Sequence, residues 1–496
     1  MKNTLLVAFA LLTLGTPLSA QIPQSEYAAR RAALAASLQN GILVAFGSPE
    51  PEQDYISFNQ NSNFRYLAGF TEPEAALVMV INNKAISGSP MLFVEPSDPA
   101  REVWTGTRLG IPRVRASVGL DGRNAATLGR VVDSLLAANP GSPLFVVGSI
   151  GGDSGFRTRD DQLVTTFVSR RSGTSVVDVS GAVNDLRRVK TAAELDFIRR
   201  AVTISVGAQR DAMRLIEPAM NEFEVQALIE YHFRRNGADR PSFSTIVGSG
   251  PNSTTLHYNA DDRFIEANDM IVMDIGASYR GYAADVTRSV PASGTFSPAQ
   301  RDIYTAVRSA QKAAETAAKV NGPALALTAA AIASLDESLA RLGLIEAPGA
   351  TYDCDATGQR QCPQRTLFYM HGLGHGIGLD VHDPGAATGP GMLVSGSAFT
   401  IEPGIYVRGN LLDIIPRTPR NGLMVSKIRA SVQKYANIGV RIEDDYIATE
   451  TGVEWISRAP REIAEIEAIM KEPWTGPSAR DATTVEAYRS AGRRVP

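Results

Sequence analysis

Acidic and histidine side chains interrupt apolar, strand-like or Gly-rich segments at nine places between residues 257 and 443, and this constrains the fold more than any other feature. A carboxylate among apolar neighbours is tolerated only when it is paired, hydrogen-bonded or bound to a metal. The densest stretch reads His371-Gly-Leu-Gly-His375-Gly-Ile-Gly-Leu-Asp-Val-His382-Asp383. Asp274 and Asp285 precede it; Glu402 and Glu443 follow. One imidazole and four carboxylates form an oxygen-rich set suited to a pair of hard or borderline divalent metals, which points to metal-assisted hydrolysis.

The two aspartates carry the first argument. Ile271-Val-Met-Asp274-Ile and Tyr282-Ala-Ala-Asp285-Val flank a turn ending in Gly281, which predicts a β-hairpin. A turn centred between Tyr279 and Arg280 sets Asp274 directly opposite Asp285. Their Cβ atoms would then be about 4.5–5.5 Å apart on one face. Two carboxylates so placed raise each other's pKa unless a cation lies between them. Solvent-facing carboxylates are the alternative, and the apolar neighbours oppose it.

Gly372, Gly374, Gly376 and Gly378 make the histidine segment poor helix material, so His371 and His375 are not a helical HExxH pair. A lone histidine is usually a structural residue; three within twelve residues are not read that way. Glu402 ends an apolar run just before Pro403-Gly404, and Glu443 is expected within another strand. Asp383 receives no ligand role.

At 496 residues the chain exceeds one ordinary core, so two domains are expected. Helical and strand patterns alternate through 25–180, and a boundary falls near 180–192. Thr191-Ala-Ala-Glu194 is a capping box opening a helix to about Ile216, Glu222–Asn236 is a further helix with His232 on its surface, and Ser297-Pro298 opens another. The fold class is thus α/β (α+β), with residues 21–185 and 186–470 as the two domains and 471–496 as a weakly ordered tail. A net charge of −3 gives no electrostatic case for nucleic acid or an anionic membrane.

Residues 1–20 combine Lys2, an apolar run from Leu5 to Leu14 and a small residue at Ala20, the pattern of a secretory signal peptide. An uncleaved anchor is the alternative; no other apolar stretch approaches spanning length. The chain is therefore expected to be exported, periplasmic or secreted. In that setting Cys354 and Cys362 either form a disulfide or remain free surface thiols.

Taken together, MDIG with Asp274, ADVTRS with Asp285, HGLGHGIGLDVHD, TIEPGIY and GVRIEDD resemble the ligand segments of the pita-bread metallopeptidases, which include aminopeptidase P, prolidase and methionine aminopeptidase. Phe64–Ala75, Glu102–Gly110 and Thr245–Tyr258 also resemble aminopeptidase P, extending the likeness over roughly 25–470. The resemblance implies a creatinase-like N-terminal α/β domain followed by a pita-bread catalytic domain. It implies two divalent metals, usually manganese, with cobalt or zinc possible. Asp274 would chelate one, Asp285 and Glu443 bridge both, and His375 and Glu402 complete the second site. A bridging water or hydroxide would be the nucleophile and Glu402 the proton shuttle. His257 and His382 would hold substrate and stabilise the tetrahedral intermediate. His371, Arg441 and, more weakly, Tyr406 and Trp104 would line a proline pocket. The family suggests a homodimer or homotetramer.

These implications describe an exported enzyme that cleaves the N-terminal Xaa-Pro bond of peptides with proline second. The rivals are a prolidase limited to Xaa-Pro dipeptides, metal-free creatinase-like chemistry, and an inactive binding protein. All five ligand positions are retained, against the last two. Residues 411–436 form a long, basic, Pro-containing link, read either as a solvated insertion or as a rim favouring acidic or longer peptides.

Overall fold

A computed structural model of the chain describes residues 21–476, apart from 54, 152–156, 172 and 386–390, together with 483 and 486. The expected signal peptide and most of the expected tail lie outside the described residues.

The first half is built on a six-stranded mixed sheet of order β4-β3-β2-β1-β5-β6. Its strands are β1 (Gly41–Phe46), β2 (Ala76–Asn82), β3 (Ala85–Val94), β4 (Asp121–Asn124), β5 (Leu144–Val147) and β6 (Val176–Asp178). Strand β1 reads as one continuous apolar run because both its faces are covered. Ile42, Val44 and Phe46 pack on the helices Leu128–Ala138 and Arg159–Val168, whereas Leu43 and Ala45 face Leu34 and Val183 on the opposite side. The helix Ser180–Arg187 leads into Lys190, and the predicted Thr191–Glu194 capping box opens the helix Ala192–Leu215.

The second half holds three three-stranded antiparallel sheets, 240–241/277–279/282–283, 246–249/270–275/286–291 and 398–401/444–449/452–455, and a ribbon pairing Gly404–Val407 with Ile438–Arg441. Long helices pack behind them. Gln209 donates to the carbonyls of Met273 (3.0 Å) and Val286 (2.7 Å), tying the helix Ala192–Leu215 to two strands. Gln311, on the helix Pro298–Ala317, donates to Asp444 Oδ2 at 2.9 Å. One apolar cluster joins the two halves: Phe64 and Tyr66 lie with Tyr282, Ala284, Ile377 and Leu379.

The hairpin forms, but two residues out of the expected register. Its central residues are Arg280 and Gly281, with φ of 52° and 79°, so Tyr279 pairs with Tyr282 and Asp274 pairs with Thr287. A two-residue turn with left-handed backbone at both positions matches the twist of the strands, and Gly281 supplies the second position. A shift of two preserves the face, so Asp285 stays diagonal to Asp274.

Cys354 and Cys362 are disulfide-bonded across the hairpin of Thr351–Asp353 and Gln361–Pro363. Asn421 receives the Asp353 N–H (3.0 Å) and donates to its carbonyl (2.9 Å), docking the helix Pro419–Lys434 on that hairpin. Met424, Ile428 and Val432 bury one face of this helix in the core. Arg420 donates to Thr351, Lys427 pairs with Glu346 and Lys434 with Asp302, so much of the link's basic excess is held by the protein's own surface. His232 is not a plain surface residue: its Nδ1 lies 2.8 Å from Asp211 Oδ2, and its ring packs where Gly207 leaves room between two helices.

Candidate active site

The acidic residues reach one place because strand ends and bends deliver them. Asp274 lies in the buried strand Met270–Ile275, and Asp285 precedes the strand Val286–Pro291. Glu402 sits between Ala398–Ile401 and Gly404–Val407, its N–H donating to the Leu373 carbonyl at 2.7 Å. Glu443 is not inside a strand. It occupies the bend between Ile438–Arg441 and Asp444–Thr449, where its N–H donates 3.1 Å to the Thr287 carbonyl instead of to a strand neighbour.

His375 is the centre of the group. Its N–H donates to Thr400 Oγ1 at 3.1 Å, and the Thr400 N–H donates back to its carbonyl at 2.9 Å. Gly374 is required there, since a Cβ would lie 2.2 Å from the Thr400 carbonyl oxygen. The ring donates from Nδ1 to the Gly376 carbonyl (3.1 Å), leaving Nε2 facing Asp285 (3.5 Å), Glu402 (3.6 Å) and Glu443 (3.7 Å). Burial, then His382, lowers its pKa to about 4, so this nitrogen offers a lone pair at neutral pH.

Electrostatics separates the four carboxylates. Asp274 alone is held below the ordinary range: burial opposes ionisation, but the adjacent Arg441 guanidinium, together with hydrogen bonds to Asp285 and Thr287, outweighs it. Asp285 is pushed well up by burial and then by Glu443 and Asp274. Glu402 is pushed well up by burial and then by Glu443, and Glu443 is raised to about 8 by burial and Asp274. Oδ1 of Asp274, Oδ1 of Asp285 and Oε1 of Glu443 are buried without a hydrogen-bond partner. Ligand atoms of Asp285, His375 and Glu443 all lie within 4.8 Å of one another. Unpartnered anionic oxygens around a neutral imidazole fit divalent cations, which satisfy the oxygens and remove the repulsion.

A second chain of contacts runs beside this group. Arg441 binds Asp274, donates to Tyr406 Oη (2.9 Å) and to the Leu256 carbonyl (3.3 Å), and Tyr406 in turn donates to His371 Nε2 (2.9 Å). His371 is kept neutral by burial and Arg441, its pKa lowered to about 4. His257 follows Leu256 and is exposed, its loop held by Tyr258 Oη on Glu222 at 2.9 Å. The His382 ring lies 4.2 Å from that of His375, centroid to centroid. Trp104 does not join them: it is 76% exposed, on the helix Pro99–Thr105 beside Glu50 and Glu95.

Three residues behind the site escaped the sequence reading. Thr287 donates to Glu443 Oε2 at 2.7 Å, the Asp285 N–H donates to Asp445 Oδ2 at 3.1 Å, and fully buried Arg288 donates to the carbonyls of Thr287 and Glu443 and to Asp444 Oδ1. The available signal was an arginine inside an apolar strand, which has to be paired.

A buried set of four carboxylates and a neutral imidazole, partly open to solvent, defines a metal-dependent enzyme. Comparison with known proteins makes the class specific. Residues 196–450 match the model of metallopeptidase family M24, and residues 27–142 match the aminopeptidase P N-terminal domain. The Xaa-Pro aminopeptidase of Escherichia coli is 32% identical over 91% of this chain and 98% of its own length. The human Xaa-Pro dipeptidase is 30% identical over 89% of this chain and 92% of its own. Zinc-substituted aminopeptidase P of E. coli, solved in complex with product, superposes with a TM-score of 0.76 at 30% identity, covering 91% of this chain and 98% of that one. The Pseudomonas aeruginosa aminopeptidase PepP gives 0.75 at 31% identity over the same shares. The chain belongs to metallopeptidase family M24, with an aminopeptidase P type N-terminal domain ahead of the pita-bread catalytic domain.

Proposed function

We propose that this protein is an exported Xaa-Pro aminopeptidase, removing the first residue from peptides with proline second. The observation that carries the reading is the neutral His375 Nε2 facing Asp285, Glu402 and Glu443, with unpartnered oxygens on Asp285 and Glu443. Asp274, Asp285, His375, Glu402 and Glu443 would hold two divalent ions, manganese by preference, with cobalt or zinc as substitutes. When bound, these ions supply an activated water and polarise the scissile carbonyl.

The remaining chemistry belongs to side chains. Glu402 accepts a proton from the attacking water and returns it to the proline nitrogen as that nitrogen leaves. His257 and His382 donate to the substrate and to the oxygen that gains charge during attack. His371, Tyr406 and Arg441 form one hydrogen-bonded rank and provide a rigid wall for the proline ring.

The human dipeptidase relative favours one alternative, a prolidase confined to Xaa-Pro dipeptides. Assay of an Xaa-Pro-Xaa tripeptide beside an Xaa-Pro dipeptide, with manganese, cobalt and zinc added separately, decides between them. Cleavage of the tripeptide alone is expected; cleavage of the dipeptide alone rejects this proposal. Export is supported by the N-terminal pattern and by the disulfide, which persists in oxidising compartments. A mature N-terminus at Gln21 in the exported fraction would be the expected result. A homodimer or homotetramer is part of the same proposal, checked by light scattering. Among the described residues, no helix is long and apolar enough to cross a membrane.

A further inference from the structure

Asp383, the one acid of the cluster without a ligand role, is buried at 5% exposure. Its Oδ2 accepts from Lys190 Nζ at 2.8 Å; its Oδ1 accepts from Arg187 and from the Asp380 N–H at 3.1 Å. Arg187 and Lys190 are themselves 4% and 5% exposed and lie on the linker between the two halves of the molecule. Arg187 also donates to Asn63 Oδ1 (2.7 Å) in the first half and to Asp380 Oδ2 (2.6 Å) in the second. A buried ionic group of this kind contributes little net stability compared with apolar packing, so its value lies in fixing a geometry.

The geometry it fixes is that of His382. The Asp383 N–H donates to the Gly376 carbonyl at 2.8 Å, pinching the loop 376–383 at its base. Gly378 is needed inside the loop, where a Cβ would lie 2.6 Å from the Asp383 carboxyl carbon. His375 and His382 are the residues immediately before the two ends of this pinch. They are anchored differently. His375 and Ile377 are hydrogen-bonded to Thr400 and Ala398 of a core strand, independently of the linker. For His382, the adjoining anchors are the Asp383 N–H on the Gly376 carbonyl and the Asp383 carboxylate with its two linker cations.

We propose that Arg187 and Lys190 are positioning residues which, acting through Asp383, set the place of the His382 ring beside His375. The N-terminal half thereby helps to align a substrate-handling histidine without entering the site. The inference rests on the substrate role assigned to His382 above.

The test is a double-mutant cycle on the full chain loaded with manganese, combining Lys190→Met with His382→Ala. Lys190→Met is expected to lower kcat on an Xaa-Pro tripeptide about tenfold with KM nearly unchanged, and to cost almost nothing further in the His382→Ala background. Bound manganese, measured by mass spectrometry, should stay at the wild-type level. Equal losses in both backgrounds, or loss of manganese, overturn the proposal. If Lys190→Met does not accumulate as folded protein, Lys190→Arg, which keeps the charge and moves it, reads the same cycle.

A second measurement separates this inference from the functional reading. The chain has five histidines, so ring-labelled NMR of the zinc-loaded protein can follow each. Lys190→Met should shift the His382 signal and leave those of His257 and His371 in place. An unmoved His382 signal refutes the positioning role even if no Xaa-Pro peptide is cleaved, whereas a shifted signal without peptide cleavage retains it and rejects the aminopeptidase assignment.

Discussion

Thr287 Oγ1 lies 2.7 Å from Glu443 Oε2 and donates to it, although the two residues are 156 positions apart. The contact occupies one carboxylate oxygen and leaves Oε1 unpartnered, facing His375 Nε2 at 3.7 Å. A hydroxyl thereby selects which oxygen of Glu443 remains for a cation. Thr287→Val should therefore weaken manganese binding about tenfold, the equivalent of ~1.4 kcal/mol for a charged hydrogen bond, with turnover restored at saturating metal. Metal titration followed by activity assay checks this; unchanged affinity would show that Glu443 is held by its backbone alone.

Removing a carboxylate differs from removing an outer histidine. Asp285→Ala and Glu443→Ala are each expected to abolish turnover and to lower bound metal, because each deletes an oxygen facing His375 or its neighbours. His382→Ala should reduce turnover and leave metal content nearly intact. Mass spectrometry on the purified variants distinguishes the two classes, and metal loss in His382→Ala would mean the roles were misassigned.

The raised carboxylates give a pH signature. Glu443 is raised from 4.5 to about 8 in the metal-free fold, by burial first and Asp274 second. Between these values the fold binds more protons than the unfolded chain. Stability of the metal-free protein therefore falls as pH rises through that window. Divalent cations favour the ionised carboxylates and remove the penalty. The increase in Tm on adding manganese should be small near pH 5 and largest near pH 8. A gain independent of pH would contradict this account.

The disulfide closes an 8-residue separation and braces the hairpin on which the helix Pro419–Lys434 docks. Replacing both cysteines by serine should cost ~2–3 kcal/mol, a fall in Tm of roughly 3–5 °C for a unit the size of the catalytic half, without changing metal content. Calorimetry in the presence and absence of reductant measures it. An unchanged Tm would show that Asn421 and the buried face of the helix suffice.

Several local features were legible in the chain. The Thr191–Glu194 capping box and the N-cap at Ser297 form as read, because capping depends on neighbours within a few positions. The hairpin was legible, but not its register, which depends on the left-handed backbone at Arg280 and Gly281. Glu443 read as a strand residue because the strands Ile438–Arg441 and Asp444–Thr449 leave only Ile442 and Glu443 between them; in that break the Glu443 N–H donates to the distant Thr287 carbonyl. The role of Asp383 was illegible, since its partners Arg187 and Lys190 are 196 and 193 positions away.

By itself, then, the sequence marked the side chains that have to be partnered, carboxylates in apolar segments and a glycine-rich histidine stretch, and left the pairing of the two cysteines open. Composition and spacing suffice for that, because an ionisable group in an apolar segment must find a partner. Tertiary structure alone decided the division of labour among them. Arg441 keeps Asp274 ionised while burial and mutual repulsion raise Asp285, Glu402 and Glu443, and burial leaves His375 neutral. Those differences depend on distances and dielectric surroundings, which exist only once the strands are in place.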